Sequence, residues 1–218
     1  GTVREEVGLP AAILACRAAS TKRATLGSGF EGVAVLRPAA PHESYRLVVA
    51  QQRGWDYTTP ACEALDDDGG GLNARGEPNR TRLWIYNPTH RTWDAVGWQL
   101  ATLPPSASWV GLSEITEVPG GEFIVIERDN RTGDFAALKT LARFGWSAAA
   151  DQLVSAGEKS TFDLLPRLRA THGWVTDKPE GVAVTATGEM FVVTDNDGVD
   201  DWSGETWFLR LGRYWDLF

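Results

Sequence analysis

The stretch "KPEGVAVTATGEMFVVTDNDG" (178–198) decides the fold, because it has the pattern of a β-hairpin with acidic residues at both ends. Two apolar runs of strand length are separated by a short turn that contains Gly188. Glu180 opens the first run, and Asp195 and Asp197 follow the second. In an antiparallel hairpin the end of the second strand lies beside the start of the first. The acids are therefore expected to meet at one end of the hairpin.

The same hairpin pattern occurs twice more. "GFEGVAV" (29–35) echoes "KPEGVAV" (178–184), and "LSEITEVPGGEFIVIERDN" (112–130) parallels "PEGVAVTATGEMFVVTDND" (179–197). Each copy continues into a third apolar run, and two copies continue into a fourth. The third runs are 82–88, 137–145 and 205–212, and the fourth runs are 92–100 and 159–166. We predict repeats over about 27–100, 108–166 and 175–218, with the polar, Gly-rich stretch 56–79 as a surface loop insertion.

Three such repeats indicate an all-β protein and favour a β-propeller, because each unit is too small to bury both of its faces alone. A β-sandwich is the alternative, but it does not explain why the same unit returns. Residues 1–218 are predicted to form one partial propeller domain of about three to four blades. Known propellers have at least four blades and usually more, so missing N-terminal blades or a protein partner are expected to complete the ring.

Three smaller expectations concern segments outside the repeats. Residues 10–19 and 148–157 have short helical patterns, and residues 1–10 are expected to add a fourth strand to the last repeat. The first residue is not Met and no basic, apolar leader follows, so the chain is interpreted as a mature or trimmed product. Cys16 and Cys62 are the only cysteines, and a disulfide and two buried thiols both fit them.

Composition excludes several classes of function. The net charge of the 218 residues is −8, whereas sequence-independent nucleic-acid binding needs clustered Lys and Arg. No apolar stretch reaches the roughly 20 residues of a membrane-spanning helix. The sequence contains no G-x-S-x-G, and Ser113 lacks that nucleophile pattern. It has no P-loop motif, and its one G-x-G-x-x-G, at 27–32, runs into a predicted strand, whereas a dinucleotide site needs it between a strand and a helix.

The candidate site lies where the strands of each hairpin begin and end. The first strand of a propeller blade lines the central channel, and Glu31, Glu114 and Glu180 stand at its start in the three copies. The second strands end in Gln51-Gln52-Arg53, in Glu127-Arg128-Asp129-Asn130 and in Asp195-Asn196-Asp197. These polar groups are expected to converge on one rim of the channel.

Converging carboxylates repel one another unless something neutralises them. Calcium would do so, because it takes six to eight oxygen ligands in irregular geometry. The three histidines are not paired at ligand spacing, so zinc suits the sequence less well. A purely structural network of ion pairs with Arg53, Arg128 and Lys178 is the alternative, and the sequence leaves both open.

Together these motifs and the terminal "ETWFLRLG" (205–212) resemble the phytase-like family described as "esterase-like activity of phytase", over about residues 1 to 212. The resemblance implies a secreted or periplasmic six-bladed propeller, and hence an extracytoplasmic location. The "SGL" opening strand and "SD" turn of the family's first blades are missing here, so the chain corresponds to the C-terminal half to two thirds. The resemblance also implies an acidic calcium site. Its ligands would be Glu31, Glu114, Glu127, Asp129, Glu180, Asp195 and Asp197.

The function expected from the residues and the resemblance is a phosphoric monoester hydrolase or esterase. Glu31, Glu114 or Glu180 would orient the attacking water. Arg53, Arg128 and Lys178 would hold the oxygens of a small phosphoester substrate. The alternative is a non-catalytic propeller that acts as a binding or assembly subunit. Carbohydrate binding through exposed tryptophans is a third hypothesis.

Overall fold

The structure is a computed structural model, and parts of the chain lie outside the residues it describes. The described residues are 1–3, 5–19, 29–38, 43–55, 60, 79–146, 153–170, 175, 178–195 and 206–218. Nearly all of the predicted loop insertion at 56–79 lies outside them, as do Cys62 and Asp197.

Twelve strands in the described residues form three open sheets. The first sheet contains β1 (Phe30–Leu36), β2 (Arg46–Gln51), β3 (Arg80–Asn87), β4 (Thr92–Gln99) and β8 (Leu153–Val154). The second contains β5 (Val110–Val118), β6 (Glu122–Asp129), β7 (Lys139–Gly145) and β9 (Ser160–Asp163). The third contains β10 (Pro179–Val184), β11 (Glu189–Thr194) and β12 (Phe208–Arg213).

The helices are short. They are α1 (Ala11–Ala19), α2 (Leu165–Arg169) and three 3-10 helices at Gly133–Phe135, Ala156–Glu158 and Tyr214–Asp216. No helix in the described parts of the chain is long and apolar enough to cross a bilayer.

Within each sheet the neighbouring strands are antiparallel, except that β8 pairs parallel with β4. The β5–β6 turn needs glycine, because Gly120 and Gly121 have φ of 102° and 79°, a region that other residues rarely adopt. Along β11, Met190 and Val192 are buried while Val193 is exposed, which is the period-2 alternation that the sequence indicates.

The second sheet lies between the other two. Its inner strand β5 packs against both β1 of the first sheet and β10 of the third. One apolar cluster joins the first and second sheets through residues such as Val48 and Phe144, and another joins the second and third through Ile126 and Val192. The three first strands therefore lie next to one another, as the propeller hypothesis requires, although none of the described sheets closes into a ring.

Two sequence expectations about small elements differ from the structure. In the predicted helical segment 148–157, residues 148–152 lie outside the described residues, and Ala156–Glu158 form a 3-10 helix. Residues 153–154 form strand β8 instead, because their backbone groups complete the free edge of β4. The N-terminal residues do not add a strand to the third sheet in the described structure. Instead α1 covers the outer face of the first sheet, where Ile13 and Cys16 pack with Trp84. This face is apolar, so its burial outweighs an additional edge pairing.

Candidate functional site

The entrances of the inner strands bring together the polar ends of the hairpins. Phe30 pairs with Gln51, Val110 with Asp129, and Pro179 with Thr194. The end of each second strand therefore lies beside the start of its first strand. Because β5 packs against both β1 and β10, these three ends lie near one another. Their charged residues are called the charged cluster below: Glu31, Arg53, Glu114, Arg128, Lys178, Glu180 and Asp195.

β-Bulges determine which residues are equivalent in the three hairpins. The register shifts at Glu31 in β1, at Ser113 in β5 and at Glu180 in β10, so these three residues have no direct partner across the hairpin. The equivalent of Glu31 and Glu180 is thus Ser113, and Glu114 corresponds to the glycine that follows each of them. The prediction that Glu114 is equivalent to Glu31 and Glu180 is therefore wrong by one residue. The hydroxyl of Ser113 is buried and donates to the carbonyl oxygen of Pro179 at 2.7 Å, which joins the second and third sheets.

Glu114 also lies at the strand entrances, but in a different setting from the other two glutamates. Its Oε1 accepts a hydrogen bond from the backbone N–H of Ile115 at 2.7 Å. A Cβ at Gly32 would lie only 2.5 Å from that same oxygen, so β1 closes over the carboxyl. Burial raises the pKa of Glu114 to about 7, against a smaller opposing effect of the Ile115 hydrogen bond. At neutral pH this carboxyl is therefore divided between its acid and base forms.

Glu180 lies in a network of mixed charge. Its Oε1 accepts a hydrogen bond from Nη2 of Arg128 at 2.9 Å. Burial raises the pKa of Glu180, with a smaller contribution from the negative charges of Asp195 and Glu31. The positive charges of Arg128 and Lys178 oppose this increase. Glu180 therefore interacts electrostatically with four other predicted site residues, and the structure brings these five together from all three sheets.

Two arginines share one tryptophan in the same cluster. The guanidinium carbon of Arg53 lies 4.4 Å from the ring centroid of Trp109, and that of Arg128 lies 5.2 Å from it. Burial lowers the pKa of Arg53, and the nearby charge of Arg128 lowers it further. Sequence reasoning missed Trp109, although its position just before β5 was a usable signal. An anion between the arginines would relieve their repulsion.

Arg128 also has unused hydrogen-bonding capacity. Its residue surface is only 2% exposed, and among the described residues its Nε and Nη1 have no hydrogen-bond acceptor. Buried guanidinium nitrogens without acceptors are costly, because they lose water and gain nothing in return. A bound carboxylate or phosphate oxygen would supply the missing acceptor.

Glu127 and Asp129 are placed differently, since strand alternation turns them to the opposite face of β6 from Arg128. Oε1 of Glu127 accepts hydrogen bonds from Nε1 of Trp98 at 2.5 Å and from Nζ of Lys159 at 2.8 Å. Asp129 is fully buried, and its Oδ1 is 2.5 Å from Nζ of Lys139. Backbone N–H groups bind their remaining oxygens, at 3.0 Å for Glu127 and at 2.8 and 3.0 Å for Asp129. Both carboxylates therefore stabilise the packing of the second sheet.

The described side chains at this rim carry positive as well as negative charge. No group of three or more His, Cys, Asp or Glu residues in the described ranges has a metal-binding arrangement. Glu127 and Asp129 have their oxygens occupied by protein donors, and Asp197 lies outside the described residues. Arg128 and Lys178 also supply positive charge to Glu180.

Comparison with known proteins identifies the family of this chain. No curated protein and no solved structure matches the chain. The family model "Phytase-like: Esterase-like activity of phytase" matches residues 1–198, which is most of the 218 residues. This match confirms the resemblance carried by the repeated hairpin motifs, and proteins of this family are β-propellers. The chain therefore belongs to the phytase-like family of esterase-like β-propeller proteins.

Proposed function

We propose that this protein hydrolyses a small phosphoric monoester and that the charged cluster binds the phosphate. The observation that carries the proposal is the buried guanidinium of Arg128, which has two nitrogens without an acceptor in the described structure. Arg53 lies on the same tryptophan ring, and Lys178 acts electrostatically on the same cluster. Three cations at the entrance of the inner strands match the negative charge of a phosphoryl group.

Glu114 is the proposed acid and base. In its ionised form it accepts a proton from a water molecule, whose oxygen attacks phosphorus while the bond to the ester oxygen breaks. The protonated carboxyl then returns a proton to the leaving alkoxide, so the products are an alcohol and phosphate. Glu31, held by Nε2 of Gln52 at 3.0 Å, and Glu180, held by Arg128, are proposed to orient that water.

Calcium is the predicted cofactor, and the proposed reaction is therefore tested both with calcium and with a chelator. If calcium binds, its candidate ligands are the acids without a complete set of protein donors, namely Glu31, Glu114 and Glu180.

An extracytoplasmic location is proposed on separate grounds. Cys16 is buried and disulfide-bonded, and disulfides persist mainly in oxidising compartments.

The test replaces Arg128 by Lys, which keeps the charge beside Glu180 but removes the additional N–H groups. We expect kcat/KM for 4-nitrophenyl phosphate or phytate to fall by about 10- to 100-fold, in line with the loss of one or two charge-assisted hydrogen bonds. Release of phosphate is measured with calcium and with a chelator, and circular dichroism checks the fold. Equal activity of Arg128→Lys and the parent protein would contradict the assigned role. The absence of phosphate release from every ester tried, with and without calcium, would contradict the proposed reaction.

A non-catalytic binding or assembly subunit is the second candidate, and exposed apolar side chains favour it. Val33 on the first sheet is 61% exposed, and Phe208 on the third sheet is 71% exposed and stacks on Phe191. Val35, on the same face of β1 as Val33, is also exposed, and contiguous exposed apolar side chains mark interaction surfaces. If a partner or further blades cover them, the chain alone should self-associate. Light scattering after size-exclusion chromatography measures this, and a stable monomer of 23.8 kDa would argue against an obligate partner.

A further inference from the structure

We propose that a second site, a pocket at the far ends of the inner strands, binds a small cyclic organic anion. The pocket has a volume of about 650 Å³, within the range of small-molecule sites. All three sheets contribute to it, through Leu36 at the end of β1, Val118 at the end of β5 and Val184 at the end of β10. These residues are four or five positions along their strands from the glutamates of the charged cluster. The two sites are therefore about 15 Å apart.

The charge of the pocket favours an anion. It contains Arg37, Arg46 and Glu117, in a chain whose net charge is −8. Nε of Arg37 donates to both carboxylate oxygens of Glu117, at 2.8 and 3.0 Å, so this acid is already neutralised. Arg46 has no hydrogen-bond acceptor among the described residues, although Glu43 lines the neighbouring cavity with it. Its guanidinium is thus available to a carboxylate or phosphate.

The shape of the pocket favours a ring. Trp146 lines it and is only partly buried, while its ring packs edge-on against Phe123 at a centroid distance of 5.5 Å and lies 6.3 Å from Phe144. Pro119, which also lines the pocket, is held in place because the hydroxyl of Tyr214 donates to its carbonyl oxygen at 2.7 Å. A partly exposed indole held by these ring contacts is a stacking surface for a sugar or aromatic ring. Together with Arg46 it selects a ring that carries a negative charge.

The test measures binding of four probes to the purified chain by saturation-transfer NMR and calorimetry. Glucuronate and benzoate combine a ring with a carboxylate, glucose has only the ring, and acetate has only the charge. We expect at least one cyclic anion to bind at least tenfold more tightly than both glucose and acetate. A sugar-acid site and an aromatic-acid site are distinguished by which of the two cyclic anions binds.

Variants separate this pocket from the charged cluster. Arg46→Gln and Trp146→Leu are each expected to weaken binding of the cyclic anion about tenfold or more, while Arg128→Lys leaves it unchanged. Failure of both cyclic anions to bind would overturn the proposal. So would binding that survives both pocket variants or that is lost in Arg128→Lys. Because the readout is binding at the far pocket, the result does not depend on whether the protein hydrolyses phosphoesters.

Discussion

Glu114→Gln is expected to lower kcat for phosphoester hydrolysis by about 10²- to 10⁴-fold, the usual contribution of a general acid–base group. Glutamine has the same shape and keeps an oxygen for the N–H of Ile115, so the fold and KM should change little. Steady-state kinetics on the parent and the variant measure the effect. Glu189→Gln is the matched control, because Glu189 lies in β11 and forms a surface ion pair with Arg210.

The pH dependence of the parent protein should follow the same carboxyl. If the ionised form of Glu114 acts as the base, kcat/KM falls as the pH drops below about 7, the pKa to which burial raises this group. The profile of Glu114→Gln should be flat in that range. Full activity of the variant, or an unchanged pH profile, would show that another group transfers the proton.

Glu114→Gln should make the folded protein more stable at pH 8, although it lowers the activity. Between pH 4.5 and about 7 the folded protein keeps the proton on Glu114 while the unfolded chain releases it. Stability therefore falls as the pH rises through this window, and the cost is fully present above pH 7. Glu114→Gln removes the cost, so urea unfolding should find the variant more stable than the parent at pH 8 and similar to it at pH 4. Such a gain is typical of sites that sacrifice stability for activity.

The repeated hairpins could be predicted from the sequence because they depend on local signals. Apolar alternation, a turn with glycine and an acid at the strand entrance occur together in 178–198, and the structure forms β10 and β11 there. Pairing within a hairpin also follows directly, since its two strands are adjacent in the chain. The convergence of Glu31 and Glu180 across sheets was predicted from the repeat alone, and their electrostatic interaction agrees with it.

The exact register could not be predicted in the same way. A β-bulge adds one residue without changing the apolar pattern around it, so Glu114 was aligned with Glu31 although Ser113 occupies that place. The partners of Glu127 illustrate a second limit. Lys159 and Trp98 are 32 and 29 residues away in the chain, and only the folded structure brings them to this carboxylate. Parallel pairing of β8 with β4 is likewise a long-range event without a local signal.

Asp129→Asn is expected to destabilise the fold by about 3–5 kcal/mol, the usual cost of removing one partner of a buried ion pair. Asp129 and Lys139 are both fully buried, and the pair connects the ends of β6 and β7 beside the charged cluster. The substitution removes the carboxylate that lies 2.5 Å from the ammonium of Lys139. Urea unfolding monitored by tryptophan fluorescence measures the loss, and Arg210→Gln at the exposed pair is the control that should leave the midpoint unchanged.

The double variant Asp129→Asn with Lys139→Met shows whether the charge itself causes the loss. Methionine removes the buried ammonium and fills most of the same volume, so the double variant should be more stable than Asp129→Asn alone. If the two substitutions are simply additive, the pair does not interact as the 2.5 Å distance implies. If Asp129→Asn lowers the free energy of unfolding no more than Arg210→Gln does, the ion pair does not stabilise the fold. The metal-binding role predicted for Asp129 at the end of β6 would then be the better explanation of this residue. In that case its ionic contact with Lys139 would not be what holds this end of the second sheet.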